Sequence, residues 1–269
     1  MFSRFVVLCL DGVLAHQERT RSDAIEPAPR FSLIIPAYNE EAYLPRLLDT
    51  VGAARAAYRD GPDAIEVIVA DNGSTDATAE IARASGCRVV SVAKRVIAAA
   101  RNGGAGVARG TLLAFIDADM RIHRETFNAI DDEMRRGRTV AGTTGVTLDR
   151  WSLGLVVTFA TLLPLVWLTR LDTGVVFCRR EDFVRIDGYN EARKYAEDVK
   201  FLLDLRRVGR RRGQRLARLR RVKAVVSTRK FDKYGDWHYF TLFPGVLVKL
   251  LVDPSATTEF ADRYWYHDR

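Results

Sequence analysis

Four short apolar runs, each followed by a polar turn or a helical period, fill residues 31–119, and this alternation constrains the fold more than any other feature. Phe31 to Ile35 is the first run, ended by Pro36. Asn39 is placed to cap the next helix, and Glu40 and Glu41 fall in its first turn, where the helix dipole favours acids. Leu44, Leu47, Leu48 and Val51 then keep the helical period. Ile65 to Ala70 is a second buried strand, followed by the turn Asp71-Asn72-Gly73-Ser74 and a helix through Ala84 that Ser74 or Thr75 can cap. Arg88 to Val92 is a third strand, Ala98 to Arg109 a helix of small residues, and Thr111 to Ile116 a fourth strand ending at Asp117. Such β-α units in series predict an α/β fold, a doubly wound, mostly parallel sheet with helices on both faces.

Sheets of this kind bind ligands outside the carboxyl ends of their strands. Polar residues stand at those ends here: Tyr38-Asn39-Glu40, then Asp71, then Asp117 and Asp119. Aspartate is common in turns, which accounts for each one singly but less well for their joint placement. Two carboxylates spaced Asp-x-Asp can hold one divalent cation through oxygen and leave its other positions for phosphate oxygens and water. A three-residue acidic pattern is common by chance; the apolar strand just before Asp117-Ala118-Asp119 gives it weight.

Four stretches, in this order and at these spacings, carry a resemblance: Ile34-Ile35-Pro36-Ala37-Tyr38-Asn39-Glu40-Glu41, Ala70-Asp71-Asn72-Gly73-Ser74-Thr75-Asp76, Ala100-Arg101-Asn102-Gly103-Gly104 and Phe115-Ile116-Asp117-Ala118-Asp119. Residues 31–136 resemble the nucleotide-binding half of the family 2 glycosyltransferases, which have the GT-A fold. Asn72 departs from the second aspartate often found there, while Asp71 is kept. The resemblance implies that Pro36 and Tyr38 flank the base, Glu40 approaches the ribose and Asp71 hydrogen-bonds the base edge. It further implies that Arg101 reaches the nucleotide or diphosphate, that Asp117 contacts the ribose or the metal, and that Asp119 ligates Mn2+ or Mg2+. A solvated helix arginine is the plainer account of Arg101.

The segment from Asp172-Thr173-Gly174 through Gly188-Tyr189-Asn190-Glu191 resembles the acceptor side of the same family, and Glu197-Asp198 resembles its Glu-Asp motif. Glu197-Asp198 opens a helix whose apolar face is Phe201, Leu202 and Leu205. In an inverting transfer a carboxylate takes the proton from the attacking hydroxyl. Asp198 is the expected base, with Glu197 positioning it or the acceptor; two acids satisfying a helix dipole is the alternative. Arg229-Lys230, after a strand expected over Lys223 to Thr228, is placed to meet a diphosphate.

The formal net charge of +8 favours anionic partners, and Arg206 to Arg221 holds nine arginines and no acid. Such a run is usually a solvated face, and it also suits an anionic lipid surface. Trp151 to Leu168 runs 18 residues without a charge, and Tyr239 to Val252 is a second apolar stretch. A single crossing between Asp119 and Asp198 would put the metal site and the base in different compartments, so the first stretch is expected not to span. An interfacial, peripheral enzyme and a soluble domain with two core helices both remain open. Three scattered cysteines, Cys9, Cys87 and Cys178, suit a cytoplasmic setting, with peripheral contact at the inner face of the cell membrane as an extension of it. Leu8-Cys9-Leu10-Asp11-Gly12 resembles the haloacid-dehalogenase signature, but Cys9 stands where that family needs an aspartate.

The expected organisation is an extension and linker over 1–30, a nucleotide-sugar half over 31–136, an acceptor half over 137–230, and an apolar helix and tail over 231–269. The expected activity is inverting transfer of a sugar from a nucleotide diphosphate, UDP- or GDP-linked, to a hydroxyl or phosphate acceptor, with lipid-linked acceptors included. A sugar nucleotidyltransferase is the enzyme alternative, but Pro36-Ala37-Tyr38-Asn39-Glu40 stands where a glycine-rich phosphate loop belongs. A nucleic-acid-binding protein is the non-enzyme alternative; the arginine run lacks the interleaved aromatics such a surface uses, so no nucleic acid partner is expected.

Overall fold

The structure is a computed structural model that describes residues 28–158, 160–161, 174–192 and 197–237. Residues 1–27, most of the second half of the 151–168 stretch, Asp172-Thr173 and the whole of 239–252 lie outside these. In chain order the elements are β1 (Phe31–Ala37), α1 (Leu44–Ala56), β2 (Ile65–Asp71), α2 (Thr78–Ala84), β3 (Arg88–Ser91), α3 (Ile97–Gly106), β4 (Leu112–Phe115) and α4 (Thr126–Arg135). They continue with β5 (Thr139–Leu148), β6 (Val176–Arg179), α5 (Arg180–Arg185), α6 (Glu197–Arg210), β7 (Arg215–Val226) and α7 (Arg229–Tyr234).

The strands form one seven-stranded sheet in the order β3-β2-β1-β4-β6-β5-β7. β6 runs antiparallel to both its neighbours, and the other pairings are parallel. Alternate residues of β1 serve opposite faces. Leu33 and Ile35 pack with Leu44, Leu47, Phe127 and Ile130 of α1 and α4. Ile34 packs on the other face with Phe115, Ala98 and Ala105 of α3, and Phe201 and Leu205 of α6. Two layers of helices thus bury both faces, which is why the parallel strands are continuous apolar runs. Pro36 does not end β1, as the sequence suggested; it pairs with Ala70, past Ile34–Phe115 where the ladder to β4 stops. A residue without an N–H is tolerated where one neighbour has left.

The chain moves from β1 outward to β2 and β3, then returns to place β4 on the other side of β1. The crevice at this reversal is where such sheets hold ligands, and it is flanked by Tyr38-Asn39-Glu40 and Asp117-Ala118-Asp119. The helix α3 can lie close behind it because of its glycines. A Cβ on Gly104 would come within 2.5 Å of the Ile34 side chain, and one on Gly103 within 2.6 Å of Val92. The same close approach brings Arg101, one turn earlier, under the strand ends.

Two expected helix caps form something else. Asn39 has φ 52°, and its Oδ1 accepts the Thr75 N–H at 2.8 Å. Its own N–H donates to Ser74 Oγ at 3.1 Å, and the Glu40 N–H donates to Thr78 Oγ1 at 2.8 Å. These side chains stitch the loop after β1 to the loop after β2 instead of capping their own helices. The N–H of Thr78 is met by Asp76 Oδ1 at 3.0 Å, so Asp76 does the work expected of Ser74 or Thr75.

At the opposite end of the sheet, Glu66 on β2 accepts hydrogen bonds from the Ser32 hydroxyl and the backbone N–H groups of Arg109 and Gly110. Burial alone would raise this carboxyl; these donors, with the Arg109 guanidinium at 3.3 Å, outweigh it and hold it below the ordinary glutamate value. A depressed carboxyl stabilises the fold above its unfolded-state pKa, and that contribution disappears as pH falls through the folded value. Glu66→Gln should therefore cost about 1–3 kcal/mol at pH 7. The gap to the parent should narrow below about pH 4, which urea unfolding at the two pH values measures.

Candidate active site

Three elements bring the acids together. β4 ends at Phe115 and delivers Asp117 and Asp119 on a tight turn closed by the Met120 N–H on the Asp117 carbonyl at 3.1 Å. α6 presents Glu197 and Asp198 in its first turn because its apolar face is fixed below them. Phe201 stacks on Tyr189 with ring centroids 4.0 Å apart, and Tyr189 meets Phe115 edge-on at 5.2 Å. α3 supplies the cation between the two groups. Arg101 Nη1 donates to Asp198 Oδ1 at 2.7 Å and to Glu197 Oε1 at 3.1 Å, while Nη2 donates to Asp117 Oδ1 at 2.9 Å. The guanidinium also lies 5.1 Å from the Tyr189 ring centroid.

Arg101 is only 4% exposed, so its fork is spent on three carboxylates and not held out towards solvent. Burial would lower its pKa; Asp198, Asp117 and Glu197 overrule that and keep it charged. Both acids on α6 are pushed above their ordinary values. For Asp198 burial is the main cause, opposed by Arg101 and reinforced by the charge of Asp117. For Glu197 it is again burial, opposed by Arg101 and reinforced by Asp198. A carboxylate raised towards neutral pH is suited to taking up a proton.

A second cation closes the other side of the turn. Arg229, the first residue of α7, donates Nη1 and Nη2 to the two oxygens of Glu40 at 2.8 and 3.0 Å. Its Nε lies 3.0 Å from Asp119 Oδ2, and its guanidinium sits 4.9 Å from the centroid of the Tyr43 ring. The sequence connects Arg229 with a diphosphate but shows neither these partners nor Tyr43; no local pattern links positions so far apart. Glu40, expected at the ribose, is 2% exposed and held by this fork.

The remaining residues lie around the crevice. Asp71 Oδ1 accepts the Ser74 N–H at 3.2 Å. Asn72 donates to the carbonyls of Val92 and Lys94 at 2.9 and 2.7 Å, so the departure from aspartate there serves the backbone of the next loop. Tyr38 carries Arg95 over its ring at 4.5 Å, and Pro36 lies buried in β1.

Among the described residues, the carboxylates of Glu40, Asp117, Asp119, Glu197 and Asp198 meet the guanidiniums of Arg101 and Arg229. Carboxylate oxygens are hard donors of the kind that a divalent cation of the Mg2+ or Mn2+ type takes. Among the described residues no cluster of three or more His, Cys, Asp or Glu is arranged to hold an ion. Such ions commonly take one or two carboxylates and complete their shell with substrate phosphates and water.

Residues 32–161 match the family model described as glycosyl transferase family 2. This core segment belongs to that family. Validoxylamine A glucosyltransferase of Streptomyces hygroscopicus subsp. limoneus is 39% identical over 100 residues, which is 35% of this chain and 21% of the relative. Undecaprenyl-phosphate 4-deoxy-4-formamido-L-arabinose transferase of Pseudomonas paraeruginosa is 36% identical over 128 residues, 43% of this chain and 35% of that one. The matches thus span about a fifth to a third of these curated relatives. Mannosyltransferase PcManGT of Pyrobaculum calidifontis, solved with GDP-Man and Mn2+, superposes with a TM-score of 0.58 at 22% identity, covering 79% of this chain and 63% of the other. The family 2 segment and its surroundings therefore have the GT-A fold.

Proposed function

We propose that this chain is an inverting glycosyltransferase that uses a nucleotide-diphosphate sugar, UDP- or GDP-linked, and a divalent cation. The observation that carries the proposal is the single guanidinium of Arg101 spanning the Asp117 turn and the Glu197-Asp198 pair. It brings the strand-end carboxylate of Asp117 and the candidate base Asp198 within one side chain of each other. The nucleotide would lie across the crevice, with Pro36, Tyr38 and Asp71 at the base. Asp117 and Asp119 would hold the metal, which when bound neutralises charge on the diphosphate leaving group. Asp198 would accept the proton of the acceptor hydroxyl as its oxygen bonds to the anomeric carbon and the bond to the diphosphate breaks. Glu197 would share Arg101 with Asp198 and fix its orientation.

A lipid-linked acceptor presented at a membrane suits the outer surface. Arg206, Arg207, Arg210, Arg211, Arg215, Arg220 and Arg221 are exposed along the end of α6 and the edge strand β7. Trp151, Leu153, Val156 and Trp237 are exposed apolar groups. Among the described residues no helix is long and apolar enough to cross a membrane. The Pseudomonas relative is named for an undecaprenyl-phosphate substrate, which supports placing this chain peripherally on the inner face of the membrane.

Thermal unfolding tests the donor site. UDP or GDP with Mn2+ should raise the Tm, by about 2.7 kcal/mol of stabilisation at a hundred times Kd, and oligonucleotides should not. Asp119→Asn should keep the fold and lose the metal-dependent part of that shift. An undiminished Mn2+-dependent shift in the variant would place the metal elsewhere.

A further inference from the structure

Arg229 is held in an unusual way for a residue at a substrate crevice. All three of its guanidine nitrogens face carboxylates, two on Glu40 and one on Asp119 Oδ2. The Tyr43 ring lies against it, and its side chain is 18% exposed. The helix that carries it is itself anchored. Phe231 packs on Leu148 and Leu155, and Arg150 bonds Asp232 and Asp236 at 2.7 and 2.5 Å. Glu40 is in turn fixed by its N–H on Thr78. The part free to change partner is therefore the Arg229 tip, pivoting on Glu40, and not α7.

Asp119 is also the carboxylate assigned above to the metal, and this inference rests on that assignment. Arg229 engages Asp119 through Oδ2, and a divalent cation on the same carboxylate would lie within a few ångströms of the guanidinium, so the two positive charges repel and draw on one negative charge. We propose that Arg229 competes with the divalent cation for Asp119, so that metal binds weakly alone and tightly together with a diphosphate. The diphosphate supplies the new partner: its oxygens accept from a guanidinium bidentately, as a carboxylate does. Displaced from Asp119, Arg229 keeps Glu40 and gains the diphosphate. The device couples the two ligands and disfavours metal loading without donor. By thermodynamic linkage the coupling is reciprocal, and couplings of this kind commonly amount to about 5–150-fold.

Mn2+ binding to the full chain, followed by calorimetry or by the EPR signal of free Mn2+, reads this without any turnover. Arg229→Gln should bind Mn2+ alone on the order of tenfold more tightly than the parent, and the enhancement of Mn2+ affinity by UDP or GDP should shrink by a similar factor. Arg229→Lys keeps the charge without the fork and should fall between the two; it carries the test if the glutamine variant does not fold. Mn2+ affinity that is unchanged or weaker in these variants overturns the competition. Asp119→Asn separates the two layers of the argument. If it binds Mn2+ as the parent does, the metal assignment fails and the competition with it. If it loses Mn2+ while the Arg229 variants show no gain, only the competition fails.

Discussion

Asp198→Asn should lower sugar transfer to a hydroxyl acceptor by about 10²–10⁴-fold, the usual contribution of a general base, and leave donor affinity close to that of the parent. Asparagine keeps the shape and can still accept from Arg101, so the aromatic stack of Tyr189 and Phe201 beneath it has no reason to shift. The pH profile adds a second readout. Burial raises Asp198 and Glu197 above the ordinary carboxyl range, so transfer by the parent should fall on the acid side at a pH above the usual aspartate value of about 3.9. The two acids share one cation, and this limb belongs to the pair. Near-normal turnover in the variant would remove Asp198 from the role and leave Glu197 to be tested.

The largest effect on stability is expected at Arg101. Arg101→Met should cost about 3–5 kcal/mol, the usual consequence of leaving buried charges without their partner, seen as a fall in Tm of roughly 6–20 °C. The penalty should ease as pH is lowered. Glu197 and Asp198, already raised by burial, rise further without the cation, so the folded state of the variant binds more protons than the unfolded one. Stability then falls as pH rises and recovers as it drops through the raised pKa values. A Tm within a degree or two of the parent at pH 7 would show that the three acids do not need Arg101 to coexist.

Much of the nucleotide half was legible in the sequence because its signals are local. Buried parallel strands appear as apolar runs, and the acids that follow them fall at strand ends by construction; β1, β2 and β4 deliver Glu40, Asp71 and Asp117 there. The apolar face Phe201, Leu202 and Leu205 of α6 was legible for the same reason, and all three are buried. Partnerships were not. Arg101 and Asp198 are 97 positions apart, and Arg229 and Glu40 are 189 apart. Nor could a capping pattern show that Asn39 and Ser74 would bond across two loops. The start of β7 at Arg215 was hidden by its arginines. They belong to an edge strand, where charge discourages pairing with other chains, and that pattern resembles a solvated helix face.

The span of these ion pairs also orders the birth of the site. Arg101 and Asp117 lie 16 positions apart and are made close together in time. Glu197 and Asp198 join only when α6 docks, and Glu40 and Asp119 acquire Arg229 only after β7 has added to the sheet and α7 has emerged. The ribosome makes the chain from the N-terminus at about 5–20 residues per second. For several seconds a nascent chain therefore holds Glu40, Asp117, Asp119 and Arg101 before Arg229 has been made. Loop closure over nearly the whole described length makes the last pair the slowest to form. By the proposed competition, a divalent cation meets no Arg229 at Asp119 in that interval; once α7 is in place, it enters best together with the diphosphate.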